Sequence, residues 1–179
     1  MNRHDVAEVL ASPISRELLD SPIPARLAYI GLDGAPRVIP VGFWWTGEHM
    51  VMATVPASPK VQALRRNPHV ALTIDTEREW PPRALLIRGT ARVEMVDEVP
   101  DSYIDAARKS VPAEHFESWE QGVRDLYDRM AVITVEPDWA KLLDFETTLP
   151  QAVEDLMRER QGANGADGRH AADDGLRES

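Results

Sequence analysis

Residues 85–95 read Leu-Leu-Ile-Arg-Gly-Thr-Ala-Arg-Val-Glu-Met. Apolar or small side chains alternate here with mostly polar ones: Leu85, Ile87, Gly89, Ala91, Val93 and Met95 share one face, and Leu86, Arg88, Thr90, Arg92 and Glu94 share the other. Because successive side chains of a β-strand point to opposite faces, this alternation predicts one long strand with a single apolar face.

Five more strands are predicted, and turn signals separate the early ones. The first begins at Ala25, and Asp33-Gly34 after it favours a type I′ hairpin turn. The others cover residues 37–45, 50–55, 70–75 and 130–135. Short early hairpins followed by one late return predict a closed or nearly closed antiparallel barrel.

Helices are predicted at both ends of the chain and between strands. Ser12 and Pro13 are typical of a helix start, with Ser as the N-cap and Pro at the first helical position. The predicted helices cover residues 5–19 with an interruption at Pro13, residues 59–66, two helices within 98–127 that break near Val111-Pro112, and residues 151–160.

This pattern predicts three regions: an N-terminal helical segment (1–24), one barrel domain (25–149), and a C-terminal helix with a tail (150–179). Residues 161–179 contain almost no apolar side chains that could offset the entropy lost on ordering, so we expect this tail to be disordered.

The composition excludes several classes of function. The chain has 179 residues and no Cys, which excludes disulfide frameworks, thiolate zinc sites, iron–sulfur clusters and cysteine nucleophiles. Twenty Lys and Arg against thirty Asp and Glu give a net charge of −10, which argues against a nucleic-acid partner. The N-terminus lacks the apolar stretch of a signal peptide, and the longest apolar run, 38–45, is too short for a membrane span. We therefore expect a cytoplasmic protein with no membrane partner.

The sequence contains no recognisable catalytic or metal-binding motif. Its five His residues are scattered without i, i+4 pairs, so no metal site is predicted. It has neither the G-x-S-x-G turn of a serine nucleophile nor the glycine-rich loops of Rossmann and P-loop proteins. We therefore predict no catalytic side chain.

The start of the short helix has the features of an anion site. Ser58 suits the N-cap, Pro59 suits the first turn, and Lys60 follows in that turn, where the helix dipole disfavours a cation. A bound anion would explain why a cation is found at this position. The hydroxyls of Thr54 and Ser58 and a second cation, Arg37, would also contact that anion. The alternative is an ordinary strand-to-helix junction with a solvated Lys60.

The predicted strand 37–45 is apolar on both faces, so neither face suits plain solvent. Pro40 removes a ladder donor, which marks an edge or an interruption of pairing, and Gly42 leaves space for close approach of another group. One face would pack in the barrel, and the other against a flat ligand or a second subunit. The alternative is a barrel strand buried on both faces.

Four motifs, in their order and spacing, resemble the pyridoxamine 5′-phosphate oxidase-like family of FMN-binding split β-barrels. They are Asp-Gly-Ala-Pro-Arg-Val-Ile-Pro-Val at 33–41, Thr-x-x-x-Ser-x-Lys at 54–60, Arg-Asn-Pro-His-Val-Ala-Leu at 66–72 and Ile-Arg-Gly-Thr-Ala at 87–91. The resemblance spans about Arg26 to Phe145. It implies a mainly β fold with helices (β+α), namely a six-stranded antiparallel split β-barrel with flanking helices. It also implies a homodimer with FMN at the subunit interface.

The resemblance further implies which residues hold the cofactor. Its phosphate ligands correspond to Arg37, Thr54, Ser58 and Lys60, which agrees with the anion site inferred above. The backbone of Val38, Ile39, Pro40 and Val41 would lie along the isoalloxazine ring.

Several positions depart from the true oxidase. Pro59 stands where the oxidase has Arg, Gly42 where it has Lys and Ala84 where it has Gln, and its R-x-H-x-R substrate box has no counterpart after Phe145. We therefore expect a flavin-dependent oxidoreductase that transfers hydride to or from another small molecule. The alternatives are a reductase that uses the deazaflavin coenzyme F-420 and a non-catalytic protein that binds flavin or haem.

Overall fold

A computed structural model of the chain describes residues 1–76, 80–145, 149 and 152–160. Its main feature is one antiparallel sheet of seven strands in the order β2-β1-β5-β6-β7-β4-β3. The strands are β1 (Ala25–Ile30), β2 (Pro36–Val41), β3 (Trp44–Trp45), β4 (Met50–Thr54), β5 (His69–Asp75), β6 (Ala84–Asp97) and β7 (Arg129–Leu143). The prediction of an antiparallel split barrel with flanking helices is confirmed, but the predicted strand count of six is not.

The additional strand arises because the predicted strand 37–45 is divided. β2 ends at Val41 and β3 begins at Trp44, and the two strands lie at opposite edges of the sheet. Between them the side chain of Phe43 is only 1% exposed, so the chain leaves one edge by inserting a ring into the core. Pro40 lies on the edge strand β2, as predicted, and an edge strand is where a proline is best tolerated in a sheet.

The long alternating strand is confirmed as β6, which pairs with β5 on one side and β7 on the other. β7 extends well beyond the predicted 130–135 because a bulge accommodates Pro137. Arg88 pairs with Trp139 and Gly89 with Pro137, so the partner strand has one extra residue, Asp138, at this point.

The hairpin between β1 and β2 has the predicted turn residues but not the predicted turn type. A type I′ turn needs positive φ at two successive residues, and here Gly34 has φ 81° whereas Asp33 is not in that region. The connection instead spans residues 31–35. The Gly34 N–H donates to the Gly31 carbonyl, and the Asp33 carboxylate accepts from the Ala35 N–H.

The helices are α1 (Arg3–Ala11), α2 (Pro13–Asp20), α3 (Pro59–Arg66), α4 (Asp101–Arg108) and α5 (Ala113–Leu126), and residues 152–160 are also helical. The predicted interruption at Pro13 is confirmed, and the Ser12 hydroxyl accepts from the Ser15 N–H as an N-cap. The predicted division within 98–127 is confirmed too. The predicted disordered tail, 161–179, lies outside the described residues. Over the described ranges, none of the helices is both long and apolar enough for a membrane span.

Two apolar clusters hold these elements together. The larger fills the barrel and continues under α1 and α2, with Leu19, Leu27, Leu72 and Ile133 almost completely buried. The smaller lies under α4 and α5 and is built on Val99, Ile104, Val123 and Met130. The second cluster fixes α4 and α5 beside the barrel, where they border the site described below.

Lys109 connects the end of α4 to the barrel. Its ammonium lies 3.7 Å from the centroid of the Phe43 ring and donates to the Leu19 carbonyl at 3.0 Å. Both contacts favour the charged form, as does Asp20 nearby, but burial has the larger effect and lowers the pKa of Lys109 to about 8. Lys109, at the end of α4, therefore contacts both α2 and the β2–β3 connection.

Gly89→Ala tests the bulge. A Cβ atom at Gly89 would collide with the Glu136 carbonyl oxygen and lie 2.9 Å from Cγ1 of Val135, and both belong to the paired strand. We expect the free energy of unfolding, measured by urea denaturation, to fall by about 1–3 kcal/mol. The matched control is Gly122→Ala in α5, where a Cβ meets nothing within 4 Å and stability should rise by about 0.5–1 kcal/mol. An unchanged stability for Gly89→Ala would contradict the close approach of β6 and β7.

The Lys109 contacts predict a specific dependence of stability on pH. Because the pKa is about 8 in the folded chain and its ordinary value is 10.5, the unfolded chain binds more protons between these values. The free energy of unfolding should therefore rise with pH from 8 to 10 in the wild type relative to Lys109→Met. Denaturation at pH 7, 8, 9 and 10 measures this difference, with Lys141→Met as a control that should retain the rise. Parallel profiles for the wild type and Lys109→Met would show that Lys109 is not buried in this way.

Candidate functional site

The start of α3 combines a helix N-terminus with a half-buried cation. Ser58 is the N-cap and Pro59 occupies the first turn, but the Ser58 side chain makes no capping hydrogen bond. Burial lowers the pKa of Lys60. Its ammonium has no ion-pair partner within the part of the chain that the structure describes. A hydroxyl, a cation and the positive end of a helix dipole therefore lie close together, and among the described residues no carboxylate pairs with this cation.

A cavity of about 400 Å³ lies beside this helix start. It brings together three of the predicted site residues: Pro40 and Val41 at the end of β2, and Lys60. Its remaining lining comes from the turn after β2, from β4, and from α4, α5 and their connection: Gly42, Met52, Ala53, Tyr103, Ala106, Ala107, Ser110, Val111 and Trp119. Its volume is in the range of small-molecule sites.

Arg37 lies on another side of the same helix start. It lines a smaller cavity of about 260 Å³ with Tyr29 and Pro59, and it does not line the cavity that contains Lys60. Its guanidinium pairs with the Asp33 carboxylate at 2.6 Å, and this hydrogen bond contributes most to a lowered pKa of Asp33. The two predicted cations therefore flank the start of α3 without sharing a cavity.

The other predicted residues are less closely associated. Ile39 packs against the barrel core, whereas Val38 on the opposite face of β2 is 67% exposed. Thr54 ends β4 and Ser58 precedes α3, and neither lines the two cavities. The exposure of Val38 excludes the alternative of a strand buried on both faces within one chain.

The aromatic side of the larger cavity is not among the features that the sequence predicts. Tyr103 from α4 and Trp119 from α5 stack with ring centroids 5.9 Å apart and planes inclined by 20°. Burial and the nearby Tyr127 raise the pKa of Tyr103. Tyr103 and Ala107, like Trp119 and Val123, are spaced i, i+4, which predicts an amphipathic face on each helix. This spacing does not indicate that two rings from different helices meet at a cavity.

The arrangement suits a flat anionic cofactor better than acid–base catalysis. Among the lining residues described, Lys60 carries the only charge, and no carboxylate or His is present. Over the described residues, no group of three or more His, Asp and Glu could hold a metal ion. The edge strand β2 leaves backbone groups unpaired beside the cavity, and the Ser58–Lys60 segment can accept a phosphate.

Several solved structures of other proteins are similar in fold to this chain. An F-420 reductase matches with a TM-score of 0.54 and 23% identity, over 70% of this chain and 94% of that one. HutZ, a haem storage protein from Vibrio cholerae, matches with a TM-score of 0.52 and 18% identity, over 74% and 92%. General Stress Protein 26 from Bacillus anthracis matches with a TM-score of 0.51 and 17% identity, over 72% and 90%.

These likenesses show a shared fold. Among curated proteins, no sequence gives a significant match. The family model for pyridoxamine 5′-phosphate oxidase matches residues 13–143, which include every strand of the sheet and every residue of the larger cavity. The chain therefore belongs to the pyridoxamine 5′-phosphate oxidase family.

Proposed function

We propose that the protein is a flavin-dependent oxidoreductase that binds FMN and acts on a small molecule. The proposal rests on the position of Lys60, which is half-buried and has no ion-pair partner among the described residues. Lys60 borders a cavity whose other lining residues are uncharged. Desolvating a cation without an anion is costly, so the position is best explained by a ligand that supplies the anion. Membership of the family supports FMN as that ligand.

Each part of the site would have one task. Lys60 and Ser58 would hold the phosphate at the start of α3, with Arg37 and Thr54 on the flanking strands as further ligands. Val38, Ile39, Pro40 and Val41 would border the ring through their backbone, since β2 is an edge strand. When bound, the flavin supplies the hydride chemistry. The chain's own residues would bind and orient the reactants and exclude water, because no lining residue is a strong acid or base near neutral pH.

The cofactor could also be the deazaflavin coenzyme F-420, and a non-catalytic role in binding flavin or haem would use the same cleft. An F-420 reductase and a haem storage protein share the fold, so the experiment that identifies the ligand must distinguish FMN from F-420 and from haem. The spectrum and mass of the ligand bound to purified protein distinguish them, because the three chromophores absorb at different wavelengths.

We also propose a homodimer. The outer face of the edge strand β2 exposes Pro40 and Val38, which is 67% exposed. An exposed apolar edge strand is a liability unless another chain or a ligand covers it. A C2 dimer would cover this edge beside the cavity, which agrees with a cofactor bound at the subunit interface.

Lys60→Ala tests the anion site. Removing a charge-assisted bond should cost about 1.5–3 kcal/mol of binding, which is a weakening of FMN affinity by about tenfold to a hundredfold. FMN titration followed by fluorescence gives both dissociation constants. Arg65→Ala is the matched control because Arg65 is an exposed cation at the other end of the same helix. Dissociation constants within twofold for the wild type and Lys60→Ala would place the phosphate elsewhere.

Light scattering tests the dimer. We expect a mass near twice the chain's 20.0 kDa at micromolar concentration. Val38→Glu should shift the protein towards monomer, because a carboxylate at a buried interface is desolvated without a partner. Leu126→Glu is the control, since Leu126 is equally exposed (68%) but lies at the end of α5. A wild-type mass of one chain would contradict the proposal.

A further inference from the structure

A further cavity of about 490 Å³, which we call the α1 cavity, lies apart from the proposed cofactor site. It is lined by one face of α1, the β3–β4 turn, the bulge of β7 and Arg16 of α2. None of the described residues lines both this cavity and the one that contains Lys60. Its volume is in the range of small-molecule sites, so a molecule bound here would be a second ligand.

One side of the α1 cavity is apolar and firmly held. Val6 and Leu10 lie one helical turn apart on α1 and are 4% and 5% exposed, and Trp45 of β3 is 7% exposed. All three belong to the larger apolar cluster that fills the barrel. Because this core fixes their positions, they form a preformed surface for the apolar part of a ligand.

Trp45 also has an unsatisfied polar group. Its indole N–H is buried and has no hydrogen-bond acceptor among the described residues. A buried Trp N–H usually has a partner, because an unsatisfied donor costs free energy. Since Trp45 lines the α1 cavity, an acceptor atom on a ligand in this cavity would supply that partner.

The charged residues around the α1 cavity leave one cation without an ion pair. Arg3 of α1 donates to the Glu136 carboxylate of β7 at 2.9 Å, so these two charges balance each other. Arg16 has no ion-pair partner within the part of the chain that the structure describes. Glu48 and His49 in the β3–β4 turn line the cavity too, but Glu48 is exposed and water can solvate its charge.

We propose that the α1 cavity binds a small apolar molecule that carries one carboxylate. The apolar part would pack on Val6, Leu10 and Trp45. The carboxylate would accept from the Arg16 guanidinium and from the Trp45 N–H, which are the two donors left without acceptors. Arginine suits this task because its N–H groups match both oxygens of a carboxylate. The proposal is independent of FMN, because it uses no residue of the proposed cofactor site.

Three probes with one carbon skeleton test the proposed carboxylate. They are 3-phenylpropionate, 3-phenylpropan-1-ol and 3-phenylpropylamine, which differ only in the charge of the head group. Calorimetric titration of the full chain should show the carboxylate binding about tenfold more tightly than the alcohol, because only the carboxylate forms an ion pair with Arg16. Equal affinities, tighter binding of the amine, or no binding of any probe at millimolar concentration would overturn the proposal.

Arg16→Gln tests the position of the carboxylate. It should weaken binding of 3-phenylpropionate about tenfold and leave binding of the alcohol within twofold, because the alcohol has no charge to pair with the guanidinium. Arg16 is exposed, so its loss should not disturb the core. The matched control is Arg65→Gln, since Arg65 is an exposed cation that does not line the α1 cavity. An unchanged ratio of the two affinities in Arg16→Gln would contradict the proposal.

Ala7→Phe tests the position of the apolar part. Ala7 is an exposed residue of α1 that lines the cavity, so a larger side chain there would fill space that the ligand needs. Binding of both 3-phenylpropionate and the alcohol should weaken about tenfold. The control is Ala113→Phe, at an exposed position of α5 outside the cavity, which should bind both probes as the wild type does. Melting temperatures of the two variants show that both are folded, and wild-type affinities in a folded Ala7→Phe would place the probes elsewhere.

Discussion

The contact between Phe43 and Lys109 determines how the site is assembled. The buried Phe43 ring divides what would be one long strand, so that β2 and β3 lie at opposite edges of the sheet. The Lys109 ammonium lies against this ring and bonds to the Leu19 carbonyl, which holds the end of α4 beside the division. The cavity lies between β2 and α4, and this contact joins the chain after β2, α2 and the end of α4 beside it. Burial of the ammonium opposes the contact, and the cation–π and carbonyl interactions offset part of that cost.

The start of α3 has two features that are unfavourable for a helix alone and that a bound ligand would explain. A cation in the first turn opposes the helix dipole, and the N-cap hydroxyl makes no capping bond. Natural sequences usually satisfy such positions, and departures concentrate where a ligand completes the structure. Arg37 differs from Lys60 in this respect because Asp33 already neutralises it. An anion at the helix start would therefore interact with Lys60 without competition, whereas at Arg37 it would compete with a carboxylate.

The sequence predicts best those features that depend on neighbouring residues. The strand 85–95, the helix break at Pro13 and the helix start at Ser58 follow from alternation, capping chemistry and proline geometry, and the structure contains all three. The sequence predicts too short a β7, because Pro137 is tolerated only through a bulge opposite Gly89, which involves two strands distant in sequence. The type I′ turn predicted after β1 is wrong because Asp-Gly also suits a longer loop with one residue of positive φ. The pairing of Tyr103 with Trp119 depends on how α4 and α5 pack, and no local pattern encodes it.

The same strand carries both faces on which the proposed function depends. Alternation along β2 turns Ile39 and Val41 towards the core and leaves Val38 and Pro40 exposed, and the end of the strand, Pro40 and Val41, borders the cavity. A second subunit on the outer face would restrict the motion of β2, and a ring bound at the end of β2 would restrict it too. Whichever binds first bears the entropic cost of ordering the strand, so the other binds more tightly. Cofactor binding and dimerisation are therefore expected to be coupled, because the proposal assigns both to the same edge strand. The coupling is reciprocal: the free energy by which cofactor strengthens the dimer equals that by which the dimer strengthens cofactor binding.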